Sequence, residues 1–359
     1  MAYLERLAAE FDIRLVSFEK DSRPAPDVVQ RLASAGVQWV PLRYHRRPPV
    51  GSTTFDISRG ARVLGRLLRD RPADILHARS YVPMEMVLRT PSARASRVLF
   101  DIRGFWADER VEGGIWRRGG ALYRYAKRRE RVFFRRADAV VTLTHASVPV
   151  IEEWTGAERV PIDVIPTCTQ VRRFSASQPG SGGPRAVWAG SLSTWYRFDL
   201  GVRLARVAGL PLAVFTRETE AARAAAPDAV DIRSLPQEEM PDALRAGDIG
   251  LCLHRPGFSR LATAPTRLAE YLAAGMPVAV SGGVGDLAGI VHGERVGVAL
   301  EDDGDEALAE AAAELKRLAA DTEVRERCRR VAAARFDISA GTRRYAEIYH
   351  RMITMRSGR

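Results

Sequence analysis

The chain has 359 residues, enough at roughly 150 per domain for two domains, and its 46% apolar content suits globular units with sizeable cores. No run approaches the ~20 apolar residues of a bilayer span, MAYLERLAAEFDIRLV lacks a signal-peptide pattern, and Cys168, Cys252 and Cys328 form neither a disulfide framework nor a zinc spacing, so a soluble cytoplasmic chain is expected. The formal net charge of +11 favours partners that carry phosphate: nucleic acid, anionic lipid or a nucleotide.

Short β-branched runs alternate with amphipathic helical runs from the start. A helix over Ala2–Glu10 leads into IRLVSF (13–18), then VQWVPL (37–42). A helix carrying Val63, Leu64, Leu67 and Leu68 ends at the Asp70–Pro72 turn, and DILHA (74–78), RVLFDI (97–102), AVVTLT (139–144) and IDVIP (162–166) follow. Apolar strands without clean alternation, separated by helices, predict a parallel sheet covered on both faces. SASQPGSGGPR (175–185) is the richest Pro/Gly/Ser stretch and reads as a linker. The alternation restarts with AVWAG (186–190), LAVFT (212–216), VDIR (230–233), DIGLCL (248–253), PVAVS (277–281) and VGVAL (296–300), and 304–355 reads as helix throughout. The expected organisation is a doubly wound α/β domain over 1–174, a linker over 175–185, a second such domain over 186–335 and a terminal helix over 336–359. Two such domains leave a cleft between the carboxyl ends of their sheets, where nucleotides bind. A doubly wound domain normally begins with its central strand and a glycine-rich turn. Here a helix comes first, so either the fold is shorter or the chain as given lacks a strand and loop encoded upstream; the second reading is favoured, because a missing central strand would leave its two neighbours with unpaired backbone groups.

The segment APTRLAEYLAAGMPVAV (264–280) carries the most chemistry. Pro265 suits a helix start, Leu268, Tyr271 and Leu272 give a buried face, and Gly275 and Pro277 end the helix. Amides near Thr266 and Arg267 would point out of the helix N-terminus at an anion such as a diphosphate. Glu270, a turn and a half further on, could accept both hydroxyls of a ribose, the plain alternative being a surface glutamate. No D-x-D lies in a suitable loop. SGGVGD (281–286) lacks the lysine of a phosphate loop, and the six histidines form no zinc pair, so neither a metal nor a cofactor is expected.

This segment, with LHARS (76–80), FDIRGFWADERVEGGIW (100–116), AGSLSTWYRFD (189–199), GGVGD (282–286) and YAEIY (345–349) in order, resembles the retaining GT-B glycosyltransferases of family 4, also called group 1. The resemblance covers nearly the whole chain apart from the absent first strand and its glycine-rich loop. It implies the GT-B architecture, two Rossmann-like domains about a central cleft, with C-terminal helices packing back toward the first. It also implies a donor site built from Gly190, Ser191, Arg197, Thr266, Arg267 and Glu270. Glu270 matches the second glutamate of the family's E-x7-E motif, which binds the donor ribose, whereas the first, which contacts the sugar, falls on Ala262. The Arg and Lys that clamp the diphosphate fall on Ser191 and Arg197, with Arg267 or Arg260 as replacements for the lost partner. Where many relatives carry an acceptor-side histidine this chain has Arg103, which can orient a hydroxyl or stabilise the departing phosphate but cannot serve as a base. Arg103 and Arg197 are the catalytic candidates. Asp108, Glu109 and His77 are acceptor-side candidates, His77 being placed at a strand's C-terminal end facing the cleft, with loop capping and salt bridges the alternative for the two acids, and His145 reads as structural.

Residues 116–136 carry nine basic residues against Glu130 alone, interleaved with Trp116, Tyr123, Tyr125, Phe133 and Phe134. Such a helix could lie on an anionic membrane. It could equally be a solvated cover on one sheet face, since only Lys20, Lys127 and Lys316 are lysines and arginine is used everywhere. Nucleic acid is not expected as a partner, because no recognition motif accompanies the charge. The expected function is transfer of a sugar, with retention of configuration, from a nucleotide diphosphate-sugar to a saccharide or lipid-linked hydroxyl. The setting would be cell-surface polysaccharide or glycoconjugate synthesis, in the cytoplasm or at the inner face of the membrane. An inactive homologue acting as a binding or scaffold subunit, and a nucleotide-sugar epimerase of the same fold, are the other readings.

Overall fold

The computed structural model describes residues 2–20, 24–156, 160–174, 184–192 and 194–357. Of the expected linker over 175–185, only Pro184 and Arg185 lie within the described residues.

All twelve expected strands form. The first six are β1 (Arg14–Glu19), β2 (Gln38–Arg43), β3 (Ile75–Arg79), β4 (Arg97–Asp101), β5 (Ala139–Thr142) and β6 (Ile162–Val164). The second six are β7 (Ala186–Ala189), β8 (Leu212–Phe215), β9 (Asp231–Arg233), β10 (Ile249–Cys252), β11 (Val278–Ser281) and β12 (Gly297–Leu300). Around the first set lie α1 (Ala2–Leu7), α2 (Pro26–Ser34), α3 (Pro49–Asp70), α4 (Tyr81–Leu88), α5 (Trp106–Glu112), α6 (Ala121–Arg136) and α7 (Val148–Thr155). Around the second lie α8 (Phe198–Val207), α9 (Thr219–Ala225), α10 (Met240–Arg245), α11 (Thr266–Ala273) and α12 (Leu287–Gly293). The chain then runs through α13 (Asp305–Ala320), α14 (Thr322–Phe336) and α15 (Ile338–Ser357).

Every strand pairing is parallel. The second domain is one sheet in the order β12-β11-β10-β7-β8-β9, with its topological switch between β7 and β10. The first domain differs: β1-β2 stand apart from β3-β4-β5-β6. The gap falls where a doubly wound domain would place its central strand, and among the described residues neither β1 nor β3 pairs on its second edge. Arg14 ties β1 instead to the end of α3, donating to the carbonyls of Leu67 (2.7 Å) and Arg71 (2.6 Å).

Alternation along the four-stranded sheet sorts its helices. Leu76, Ala78, Val98, Phe100 and Val140 pack under α3, α4, α6 and α7, with Phe133, Phe134 and Ile151 filling that side. On the other face Leu99, Ala139 and Val141 meet Leu7 of α1 and Tyr345, Ile348 and Met352 of α15. The C-terminal helix therefore crosses back onto the first domain, and the Tyr345 hydroxyl donates to buried Asp101 at 3.0 Å. No described helix is long and apolar enough to cross a membrane.

The domains meet through charged and aromatic contacts. Asp286 accepts from the backbone amides of His145 (2.7 Å) and Ala146 (2.8 Å). Phe258, in a 3-10 turn over Phe258–Ala262, stacks on Phe105 with centroids 5.4 Å apart.

Candidate active site

At the switch point of the second sheet the first residues beyond three strands converge. Gly190 and Ser191 follow β7, Thr216 and Arg217 follow β8, and Leu253 and His254 follow β10. With the start of α11 they line a cavity of about 750 Å³, within the range of small-molecule sites. Gly190 takes φ = +146°, a conformation open to glycine and costly for other residues, which lets the chain turn out of β7.

Close packing sets α11 in place. A Cβ on Gly250 of β10 would lie 2.4 Å from Cγ of Tyr271, so the bare glycine lets the tyrosine ring sit directly on the strand. The Tyr271 hydroxyl then accepts the Ala189 amide at 2.8 Å, tying α11 to the end of β7. The next residue back, Glu270, reaches the cavity wall with a carboxylate that is 7% exposed as a residue and paired with Arg267. Burial pushes Glu270 above the usual carboxylate range, and the Arg267 guanidinium opposes that shift. Contact with two ribose hydroxyls would give this carboxylate back the hydrogen bonds that burial removed.

Arg217, Arg260 and Arg267 also line the cavity. Arg260 is 6% exposed, lies 4.5 Å from the Trp195 ring centroid, donates to Ser259 Oγ, and sits 3.4 Å from Glu109 of the first domain. It therefore places a buried cation where the two domains meet. Ser191 donates to Glu218, which orients the turn after β7.

Of the expected donor set, Gly190, Ser191, Thr266, Arg267 and Glu270 come together here. Arg197 does not line the cavity. Its guanidinium is drawn to Asp199 (3.1 Å) and Asp303 (2.9 Å) at the start of α8. Ala262 is buried against the core of the first domain, among Phe105 and its neighbours, so the first position of the E-x7-E spacing faces away from the cavity.

The acceptor-side candidates scatter. Arg103 has a left-handed backbone (φ = +59°) just after β4, with its side chain 3.5 Å from Thr167 and 4.0 Å from Asp101. Glu109 faces Arg260 at the domain seam, and burial raises its carboxyl above the usual range. Asp108 turns inward, accepting from Tyr123 (2.9 Å) and Lys127 (3.0 Å), so its carboxylate braces α5 against α6. His77 is not at a strand end: it pairs with Leu99 in the middle of β3. Its ring lies under α15, 2.7 Å from the Tyr349 hydroxyl and 3.5 Å from Asp101. The His145 backbone amide makes the Asp286 contact.

Sequence reasoning passed over Tyr196, Arg217, Glu218 and His254. The signal was available, since Arg217, Glu218 and His254 follow directly on LAVFT and DIGLCL, and residues past strand ends at a switch point line the ligand crevice.

Two Rossmann-like domains, a cavity at the second domain's switch point and a C-terminal helix returning to the first define the GT-B class of glycosyltransferase folds. Residues 1–168 match the family described as the glycosyl transferase 4-like domain. No curated protein sequence matches the chain. Among solved structures, it resembles a glycosyltransferase from Rickettsia africae at a TM-score of 0.70 and 14% identity, over 98% of this chain and 93% of that one. It also resembles sucrose-phosphate synthase from Thermosynechococcus elongatus at a TM-score of 0.68 and 12% identity, over 99% and 92%. The Anabaena protein Alr3699/HepE, solved with UDP and glucose, aligns at a TM-score of 0.62 and 12% identity, over 94% and 99%. At these identities the likeness is one of fold.

Proposed function

We propose that this chain transfers a sugar from a nucleotide diphosphate-sugar to a saccharide or lipid-linked hydroxyl, with retention of configuration. The observation that carries the reading is the buried Glu270 carboxylate in one cavity with Arg217, Arg260 and Arg267. A carboxylate beside several guanidiniums fits a nucleoside diphosphate: ribose hydroxyls on the acid, diphosphate oxygens on the forks. That Alr3699/HepE was solved with UDP and glucose supports a donor of this class.

In the transfer, the bond from the anomeric carbon to the diphosphate oxygen breaks and a bond to the acceptor oxygen forms. The acceptor proton passes to the leaving diphosphate, so no side chain has to act as base. Negative charge grows on the diphosphate as it departs. Arg260 and Arg267 stabilise it most at that moment, which lowers the barrier rather than only tightening binding. Arg260 touches Glu109 across the seam, so the same guanidinium senses whether the acceptor domain is seated. Arg103, beyond β4 of that domain, orients the acceptor hydroxyl.

Titration of the chain with UDP, GDP, ADP and dTDP tests the donor assignment, with Glu270→Ala and Arg197→Ala alongside. Glu270→Ala is expected to weaken the preferred nucleotide by about 2 kcal/mol, roughly 30-fold, the scale of a hydrogen bond to a charged group. Arg197→Ala, whose guanidinium already has two carboxylate partners, is expected to change affinity little. Unaltered binding in Glu270→Ala would remove the ribose role. Binding of no nucleotide by the folded wild type would favour the scaffold reading, for which Ser191 and Ala262 in place of charged residues speak.

A further inference from the structure

Two neighbouring strands of the first domain lead into residues with left-handed backbones, Ser80 after β3 (φ = +76°) and Arg103 after β4 (φ = +59°). Glycine adopts such a backbone freely, whereas serine and arginine are strained by it. An arginine retained there points to a use for its side chain. Arg79, the last residue of β3, pairs in register with Asp101, and Arg103 lies two residues beyond Asp101. Both guanidiniums act on the buried Asp101 carboxylate. Burial pushes Asp101 upward, but the His77 hydrogen bond and the Arg103 and Arg79 guanidiniums outweigh it and hold the carboxyl below its usual range. The same two guanidiniums oppose the upward shifts that burial gives Tyr3 and Tyr345.

One carboxylate thus stands against two guanidiniums, and it exhausts neither. Its Oδ2 accepts from the Tyr345 hydroxyl (3.0 Å), while its Oδ1 has no hydrogen-bond partner and lies 4.0 Å from Arg103. Arg103 is held there by charge, and most of its donors stay free, one reaching Thr167 at 3.5 Å. Among the described residues no carboxylate lies in ion-pair range of Arg79, which is exposed. Around Cys168, beyond Thr167, Arg344 and Asp337 oppose each other, so the surplus charge rests on Arg79 and Arg103.

The carboxyl ends of a doubly wound sheet face the crevice where ligands bind. A Cβ on Gly104, next to Arg103, would lie 2.9 Å from Glu109 Oε1 and 3.9 Å from the Ala262 carbonyl oxygen, so this turn abuts the second domain. Glu109 in turn sits 3.4 Å from Arg260 of the donor cavity. Arg79 and Arg103 therefore stand on the acceptor side of the seam, with the donor cavity across it.

We propose that Arg79 and Arg103 hold an anionic group on the acceptor, which is an acidic saccharide carrying a carboxylate or a phosphate. The inference rests on the transfer reaction proposed above and names the class of its acceptor. Planar guanidiniums grip carboxylate or phosphate oxygens through paired hydrogen bonds. That grip fixes the sugar ring by its charged substituent and so aims a neighbouring hydroxyl at the donor. A neutral sugar would leave both cations without a partner, which favours the acid.

Ligand-observed NMR titration of the full chain with methyl glucoside, methyl glucuronide and glucose 6-phosphate tests this, with and without the preferred nucleotide. At least one of the two acids is expected to bind about tenfold or more tighter than methyl glucoside, the scale of a hydrogen bond to a charged group. Which acid it is tells carboxylate from phosphate. Added salt should narrow the difference. Arg79→Gln and Arg103→Gln should each abolish most of the preference with the far-UV spectrum unchanged, and Arg103→Lys should restore part of it. Arg66→Gln, at an exposed position of α3, should leave the preference intact, which separates the site from the overall charge of the chain. Equal binding of neutral and acidic sugars would overturn the proposal, as would a preference that survives both glutamine variants, whatever the nucleotide affinity. A folded chain that binds no nucleotide but still prefers the acids would keep the anionic site and remove the donor assignment.

Discussion

His254 stands in the cavity wall beside Tyr196 and close enough to Arg260 to feel its charge. Burial, helped by that guanidinium, pulls its imidazole down to about 4, so it is neutral at ordinary pH and its Nδ1 lies 3.3 Å from the Cys252 carbonyl. In the unfolded chain the ring ionises near 6.5, so as pH falls from about 6.5 to 4 the unfolded state takes up the proton first and stability is lost. The full contribution is about 3 kcal/mol. His254→Gln should flatten the fall in unfolding free energy across that window, read by denaturant titration at several pH values. An unchanged slope would mean the ring is not held neutral. The same scale explains what a motif can and cannot give. Helix periodicity alone left Glu270 open between a ligand residue and a surface glutamate; its match to the E-x7-E motif pointed to the cavity that it lines. The direction of Arg197 was not legible, because it depends on Asp303, 106 residues further along, and no local pattern announces such a partner. Arg260 gained its importance from stacking on Trp195, another contact that spacing does not encode.

Elements were legible where continuous apolar runs met turn residues, and all twelve strands fall within a residue or two of their sequence expectation. What spacing did not reveal was the turn Phe258–Ala262, too short for a periodic signal and defined by what it docks against. The helix that matters most, α11, owes its seat to Gly250. Gly250→Ala would force the Tyr271 ring off β10 and pull its hydroxyl from the Ala189 amide. Overpacking of this kind costs about 1–3 kcal/mol. A lowered melting temperature together with weaker nucleotide binding is the expected result, because Glu270 moves with its neighbour. Loss of stability with affinity intact would show that α11 keeps its position by other contacts.

At the scale of the whole molecule, the returning helix α15 and the Asp286 contact join two halves that the sequence presents as separate alternating blocks. That the blocks fold as two α/β domains could be read from periodicity. How they are fastened could not, since the fastenings are single carboxylates and aromatic stacks between distant segments. The gap in the first sheet was foreshadowed by the missing strand, but how the chain copes with it was not. Arg14 binds the α3 carbonyls, and Ile57, Ala61 and Met86 pack against Val16 and Phe18.

That arrangement divides the first domain into parts of unequal durability. β1 and β2 share one ladder and a small apolar cluster, whereas β4 and β5 sit between strands with helices on both faces. A lone two-stranded ladder is marginal in water. Amides of β1 and β2 should therefore exchange with deuterium through a local opening that leaves β3–β6 intact, at a free energy several kcal/mol below that of global unfolding. Equal protection of β1 and β4 would refute this. Among the described residues the edge of β3 that faces this gap is unpaired even with β1 and β2 in place, so it is a template onto which another extended segment can add by backbone hydrogen bonds. The weakest seam of the molecule is thus also the place where its sheet could still grow.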